Sequence, residues 1–223
     1  MNWIRHREEM GKIIAIDLPS EIKSSRNFTV QSWNCSNLTW SDGLAQVRLH
    51  TADIFCLQES RIDWTKEGFT VEHSQNFLVS TSVRNTISVR QNYEEEKLTD
   101  FPVVWLEFPS MSGRVTLINV YVTSETSAAS IKLFLGRIPS RCLLVGDFNS
   151  PGRTCSTSSN QQSSRGSALD AFFFEDTCPL LIISSEDHTF YRNEYSSRID
   201  LTIISPGLTA ESSLDPTFFL DHV

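Results

Sequence analysis

Apolar residues in this chain gather in short runs of strand length, separated by polar and turn-forming stretches. Residues 28–33 are rich in β-formers, and residues 53–58 make a compact apolar run. Residues 103–108 and 115–121 predict two further strands around the turn-like segment 109–113. The segment 115–120 is apolar nearly throughout, the pattern of a strand buried on both faces, and 142–145 repeats it. Two more strands are expected at 180–183 and 199–204. Helical spacing is rarer. Ile131, Phe134, Leu135 and Ile138 fall at i, i+3, i+4 and i+7, a core-facing stripe that Pro139 should end. Residues 41–50 fit a short helix with Leu44 and Val47 on one face, and another helix is expected around Leu169, Phe172 and Phe173. The Ser-, Thr-, Gln- and Asn-dense stretch 154–167 predicts a loop, either a surface connection or a substrate-facing one. Residues 1–26 are weakly patterned and read as a leader of unclear role; no internal repeat is visible. Strands alternating with occasional helices, many at hairpin spacing, imply a layered α/β protein with mixed sheets.

Composition narrows this picture. A chain of 223 residues, 39% hydrophobic and 21% charged, suits one folded domain and is neither collagen-like nor a disordered acidic tail. Nineteen basic against 27 acidic residues give a net charge of −8, which argues against a protein that coats nucleic acid by bulk charge. It leaves room for an enzyme on nucleic acid, because a metal-binding pocket needs clustered carboxylates. Five cysteines, an odd number with no CxxC pair, argue against a disulfide framework or a structural zinc site. Cys56 and Cys142 lie inside apolar runs, where a thiol behaves as a small hydrophobe. The N-terminus MNWIRHREEM carries no apolar signal-peptide core, and no apolar run approaches the roughly 18 residues of a membrane span. The sequons at Asn27, Asn34 and Asn37 read as chance matches, and the chain as intracellular and reduced.

The informative feature is a set of polar residues at the ends of apolar strands. Asn34 ends VQSWN, Glu59 ends IFCLQE and Tyr121 ends LINVY. Asp147 and Asn149 follow LLVG in GDFN, Asp200 opens IDLTII, and Asp221 and His222 form a DH pair near the end. Each alone reads as a turn, cap or core residue. Together they put four carboxylates, one histidine and two asparagines where strands emerge into a shared rim. Phosphodiester hydrolysis uses such a set: a hard cation on oxygen ligands, a base for water, and donors for the developing charge. Carboxylates and an amide oxygen suit Mg²⁺, whereas the thiolate and multi-histidine spacing of a zinc hydrolase is missing.

The ordered series WN…QE…NVY…GDFNSPG…HTFYR…SRIDLTIISP…LDH resembles the endonuclease/exonuclease/phosphatase superfamily of DNase I-like nucleases. Within it, the series is similar to the endonuclease domain of non-LTR retrotransposons, over residues 27–223. The resemblance implies a four-layer α/β sandwich, two mixed β-sheets face to face with helices outside. It implies a Mg²⁺ ion, for which Mn²⁺ can substitute, held chiefly by Glu59 with Asn34 beside it and Asp221 on the metal side. Asp147 would activate water or protonate the leaving oxygen, and Asn149 and Tyr121 would hold the scissile phosphate. His222 would contact that phosphate, paired to Asp200, and Asp147 and His222 share the acid and base roles as a pair. Thr189 matches a position that approaches DNA, and Arg165 and Arg192, with Arg153 and Arg198, flank the rim as candidate phosphate contacts.

The implied activity is nicking of one DNA strand to leave a 3′-hydroxyl, inside the nucleus, with a reverse transcriptase segment outside this sequence as the consumer of that end. Two other readings stand beside it: a phosphoesterase on phosphoinositides or other small phosphates, and a catalytically degenerate domain that binds nucleic acid or protein. Leu220 stands where the family has Ser, the sequence ends at Val223 just past the DH pair, and SVRNTISVRQNYEEE replaces a glycine-rich strand. The domain is therefore expected to be truncated at its C-terminus. The run of three glutamates at 94–96 reads as a solvated face.

Overall fold

The computed structural model describes residues 8, 9, 11–17, 28–35, 51–61, 63–110, 113–155, 162–175, 178–183, 190–192 and 195–215. In chain order the first strands are β1 (Glu8–Glu9), β2 (Gly11–Asp17), β3 (Phe28–Asn34), β4 (Ile54–Gln58), β5 (Phe69–His73), β6 (Val79–Arg84) and β7 (Arg90–Gln91). Helix α1 (Tyr93–Lys97) precedes β8 (Val103–Ser110) and β9 (Gly113–Tyr121), and α2 (Ala128–Leu135) leads to β10 (Cys142–Asp147). Helix α3 (Ser164–Phe173) is followed by β11 (Leu181–Ile182), β12 (Phe190–Arg192), β13 (Tyr195–Ser197), β14 (Asp200–Ile204) and β15 (Thr209–Asp215).

Two six-stranded sheets form the body, one ordered β15-β2-β3-β4-β6-β5 and the other β11-β14-β10-β9-β8-β7; β1, β12 and β13 make a small third sheet. Both large sheets are mixed: β3–β4 and β9–β10 are parallel, their other pairings antiparallel. The sheets pack face to face through Val30, Ile54, Cys56, Val79 and Val83 on one side and Val104, Leu106, Leu117, Leu143 and Val145 on the other. The opposite face of the second sheet, with Trp105, Ile118, Val120, Leu144 and Leu201, is covered by Ile131, Phe134 and Leu135 of α2 and Ala168 and Leu169 of α3. The outer face of the first sheet carries a third cluster of Trp33, Phe55, Leu57 and Trp64. The helix expected at 41–50 lies outside the described residues. The expected sandwich of two mixed sheets with flanking helices is thus the observed one.

Several local expectations differ. Residues 11–17 lie within the expected leader yet form β2, paired with both β15 and β3; the apolar positions Ile13, Ile14 and Ile16 suit a strand. Helix α2 ends at Leu135 with Gly136 as its C-cap, so Ile138 lies past the helix, yet it packs against the same core as Ile131, Phe134 and Leu135. The expected loop at 154–167 gives way to helix at Ser164, because Ser163 caps it by accepting from Gly166 N. The glutamates at 94–96 are more than a solvated face. Glu96 accepts from Trp105 N at 2.8 Å and from Gln91 Nε2, closing the end of β8, and Glu95 is ion-paired with Arg137. Burial holds the Glu96 carboxyl above the usual range, partly offset by those two donors.

Candidate active site

Side chains alternate across a strand, so register decides which strand ends can meet. In the second sheet Asp147 stands opposite Tyr121 across the parallel β9–β10 pair and opposite Asp200 across the antiparallel β10–β14 pair. In β10, Leu143 and Val145 belong to the core between the sheets, so Asp147 faces inward as well. In the first sheet Asn34 stands opposite Gln58 at the ends of β3 and β4, and Glu59 follows immediately. The side chains of both sheets then meet. Asn34 Nδ2 donates to Glu59 Oε1 at 3.1 Å and to Asp147 Oδ2 at 2.6 Å. Asn34, Glu59, Asp147 and Asp200 are all buried, so the carboxylates lie in a low-dielectric end of the sandwich.

The backbone is strained where the chemistry would be. Glu59 and Asn149 both have positive φ, 55° and 40°, a conformation that non-glycine residues hold only when their surroundings enforce it. For Asn149 the enforcement is visible: its backbone N donates to Asp147 Oδ1 at 2.8 Å and its Nδ2 to Asp147 Oδ2 at 3.0 Å. Gly146 brings β10 close to β9; a Cβ there would meet Val120 O at 2.1 Å, and its φ of 137° disfavours any side chain. Cys155, fully buried, has its thiol pushed up first by burial and then by the negative charge of Asp147, with Arg198 working against the shift.

This donor set fits a hard divalent cation: carboxylates and an amide of buried residues, with the neighbouring sulfur held as a thiol rather than a soft thiolate ligand. Among the described residues no three His, Cys, Asp or Glu side chains converge as a closed cage. Mg²⁺ does not require one, since it keeps several waters and takes one or two carboxylates.

The structure brings Asn34, Glu59, Tyr121, Asp147, Asn149 and Asp200 to one end of the two sheets. Asp221, His222 and Thr189 lie outside the described residues, and for Arg192 only the backbone is described. Arg165 Nη2 donates to Asn149 O at 3.2 Å, and Arg198 Nη2 to Thr154 O at 3.2 Å. Arg153 lies over the Phe174 ring at 4.2 Å. Sequence reasoning missed two supports. Asn119, fully buried in β9, accepts from Gln58 Nε2 at 2.6 Å and donates to Leu57 O, Ser80 O and Thr81 Oγ1, so one amide ties both sheets together directly behind Glu59. Asp170 in α3 accepts from Arg153 N, Thr154 N, Thr154 Oγ1 and Gln162 Nε2, and so fastens the loop that follows GDFN. The available signal was a lone amide inside an apolar run, LINVY, since a buried polar group needs partners.

Residues 115–223 match the model of a family described as endonuclease-reverse transcriptase. Among solved structures, the endonuclease domain of TRAS1, a telomere-specific non-LTR retrotransposon, superposes with a TM-score of 0.64 at 19% identity, covering 79% of this chain and 84% of that one. The AP endonuclease LMAP from Leishmania major gives a TM-score of 0.55 at 13% identity, over 92% of this chain and 84% of that one. The human Nocturnin catalytic domain gives 0.51 at 12% identity, over 96% and 89%. No curated relative matches the sequence. The matched segment is just under half of the chain, and the solved structures share the fold of the whole. The second half of the sequence thus matches an endonuclease-reverse transcriptase model, in keeping with the resemblance read from the residues. Among the described residues no helix is long and apolar enough to cross a membrane.

Proposed function

We propose that this chain is a Mg²⁺-dependent endonuclease of the retrotransposon type, which nicks one DNA strand and leaves a 3′-hydroxyl. The observation that supports it is the Asn34 amide shared between Glu59 and Asp147, at the strand ends where Tyr121, Asp147 and Asp200 stand in register. Glu59 and Asn34, with Asp221, would hold Mg²⁺, which when bound supplies positive charge to the phosphate oxygens and acidifies water. In the reaction a water oxygen bonds to phosphorus, the bond from phosphorus to the 3′-oxygen breaks, and that oxygen takes up a proton. Asp147 and His222 share the proton transfers at the two oxygens. Asp147 is oriented for this by three donors from Asn34 and Asn149. Asn149 and Tyr121 orient the phosphate, while Asp200 sets the imidazole of His222 and stabilises its protonated form.

The substrate in this reading is chromosomal DNA in the nucleus, and the 3′-hydroxyl primes a reverse transcriptase segment outside this sequence. The test compares two substrates under Mg²⁺: supercoiled plasmid, scored for open circle, and an inositol polyphosphate, scored for released phosphate. Open circles without phosphate release support the endonuclease. Phosphate release without nicking would assign the site to small phosphoesters, and neither would leave a binding domain.

A further inference from the structure

Arg165 is the second residue of α3, a helix packed unusually close to the loop that follows GDFN. Gly166 permits this approach, because a Cβ there would lie 1.8 Å from Pro151 O. The packing brings the Arg165 guanidinium between two loops. Nη1 donates to Ser124 O, three residues beyond the end of β9 at Tyr121, and Nη2 donates to Asn149 O at 3.2 Å. Nε is buried. A planar guanidinium can hold two carbonyls in a fixed fork, which a lysine ammonium cannot reproduce. One of those carbonyls belongs to Asn149, whose φ of 40° needs outside support. From Asn149 the hydrogen bonds continue to Asp147, and from Asp147 through Asn34 to Glu59.

We propose that Arg165 is a positioning residue, which holds Asn149 in its left-handed conformation and thereby orients Asp147, rather than a contact to DNA phosphate as its place on the rim suggests. The kinetic part rests on the endonuclease reading; the structural part does not. The fork joins the loops after β9 and β10, so its loss loosens Asn149 while leaving the strands in place. The positive charge is spent on backbone carbonyls, so its loss leaves the affinity for DNA nearly unchanged.

The experiment uses the full chain, wild type beside Arg165→Lys and Arg165→Ala, each checked for folding by its melting transition. Amide hydrogen exchange is read by NMR without metal or DNA. The Asn149 amide, bonded to Asp147 Oδ1, should exchange about tenfold faster or more in Arg165→Lys, while amides within β10 keep their protection. An unchanged Asn149 amide overturns the proposal, and this arm stands even if wild type proves inactive. With DNA, kcat for nicking should fall about tenfold or more, with Kd for a short duplex in EDTA within about twofold of wild type and its salt dependence unchanged. Retained kcat, with weaker binding and a salt slope reduced by about 0.9, the signature of one lost phosphate contact, overturns it in favour of direct contact. Should Arg165→Ala fail to fold, Arg165→Gln, which also removes the charge, takes its place in the binding arm, because Arg165→Lys keeps the charge and tests the fork alone.

Discussion

Asn34 Nδ2 donates to Asp147 Oδ2 at 2.6 Å although 113 positions separate the two residues and they belong to opposite sheets. The same amide nitrogen donates to Glu59. Two buried acidic side chains are thus brought together by one neutral group, an arrangement that serves a cation better than it serves stability.

Asn34→Ala should therefore cost activity more than fold. With the shared donor gone, the two carboxylates lose their common alignment, and nicking at saturating Mg²⁺ should fall by about 10²-fold or more. Initial rates on supercoiled plasmid, taken beside a melting curve, check this. A variant that cuts at wild-type rate would remove Asn34 from the site.

Asn119 should behave differently. Replacing it by Ala removes four buried hydrogen bonds between the sheets, from Gln58 Nε2 and to Leu57 O, Ser80 O and Thr81 Oγ1, and leaves Gln58 Nε2 with Ser32 Oγ. A buried hydrogen bond contributes about 0.5–1.5 kcal/mol net, so a loss of about 3 kcal/mol in unfolding free energy is expected from the four together. Urea denaturation at pH 7.5 measures it; an unchanged midpoint would mean the network carries no stability.

His73 gives a pH dependence of defined sign. Burial holds its imidazole below the ordinary histidine range, against the opposing charge of Asp63, which lies 3.5 Å away. In the window below about 6.5 the unfolded chain takes up a proton that the folded chain refuses. The neutral His73 therefore contributes stability above that value, and the contribution is lost as pH falls through the folded pKa. Melting temperature should drop more between pH 7.5 and pH 5 for wild type than for His73→Phe. Parallel curves would contradict the assignment.

Cysteine reactivity follows from burial. Cys35, Cys56, Cys142 and Cys155 are buried and none of the five cysteines is in a disulfide; burial pushes the thiols of Cys56 and Cys142 up to about 12. Only Cys178, partly exposed, should react promptly with a thiol reagent in the native protein. All five should react in denaturant. Prompt labelling of two or more native thiols would be inconsistent with this packing.

Apolar strands were legible because burial and alternation write themselves into hydrophobicity. β4, β8, β9, β10 and β14 appear where their runs predict them, within a residue or two. β6 was not legible: Ser80, Thr81 and Ser82 are buried polar residues, stabilised by Trp64 Nε1, by Asn119 and by one another's surroundings rather than by apolar contact. A polar strand between polar partners leaves no hydrophobic trace. The candidate site residues were legible as strand ends, since GDFN, QE and NVY each close an apolar run. What supports them was not, because Asn119, Asp170 and the Arg165 fork act through carbonyls and amides that no sequence spacing displays.

The most direct measurement is conversion of supercoiled plasmid to open circle by wild type and Glu59→Ala, each with Mg²⁺ and with EDTA, on proteins shown to be folded. Open circles are expected from wild type with Mg²⁺ alone, with a 3′-hydroxyl that a DNA polymerase extends at the nick, and a loss of about 10²-fold or more in Glu59→Ala. Equal nicking by wild type and Glu59→Ala, or by wild type in EDTA, would contradict a metal-dependent site built on Glu59.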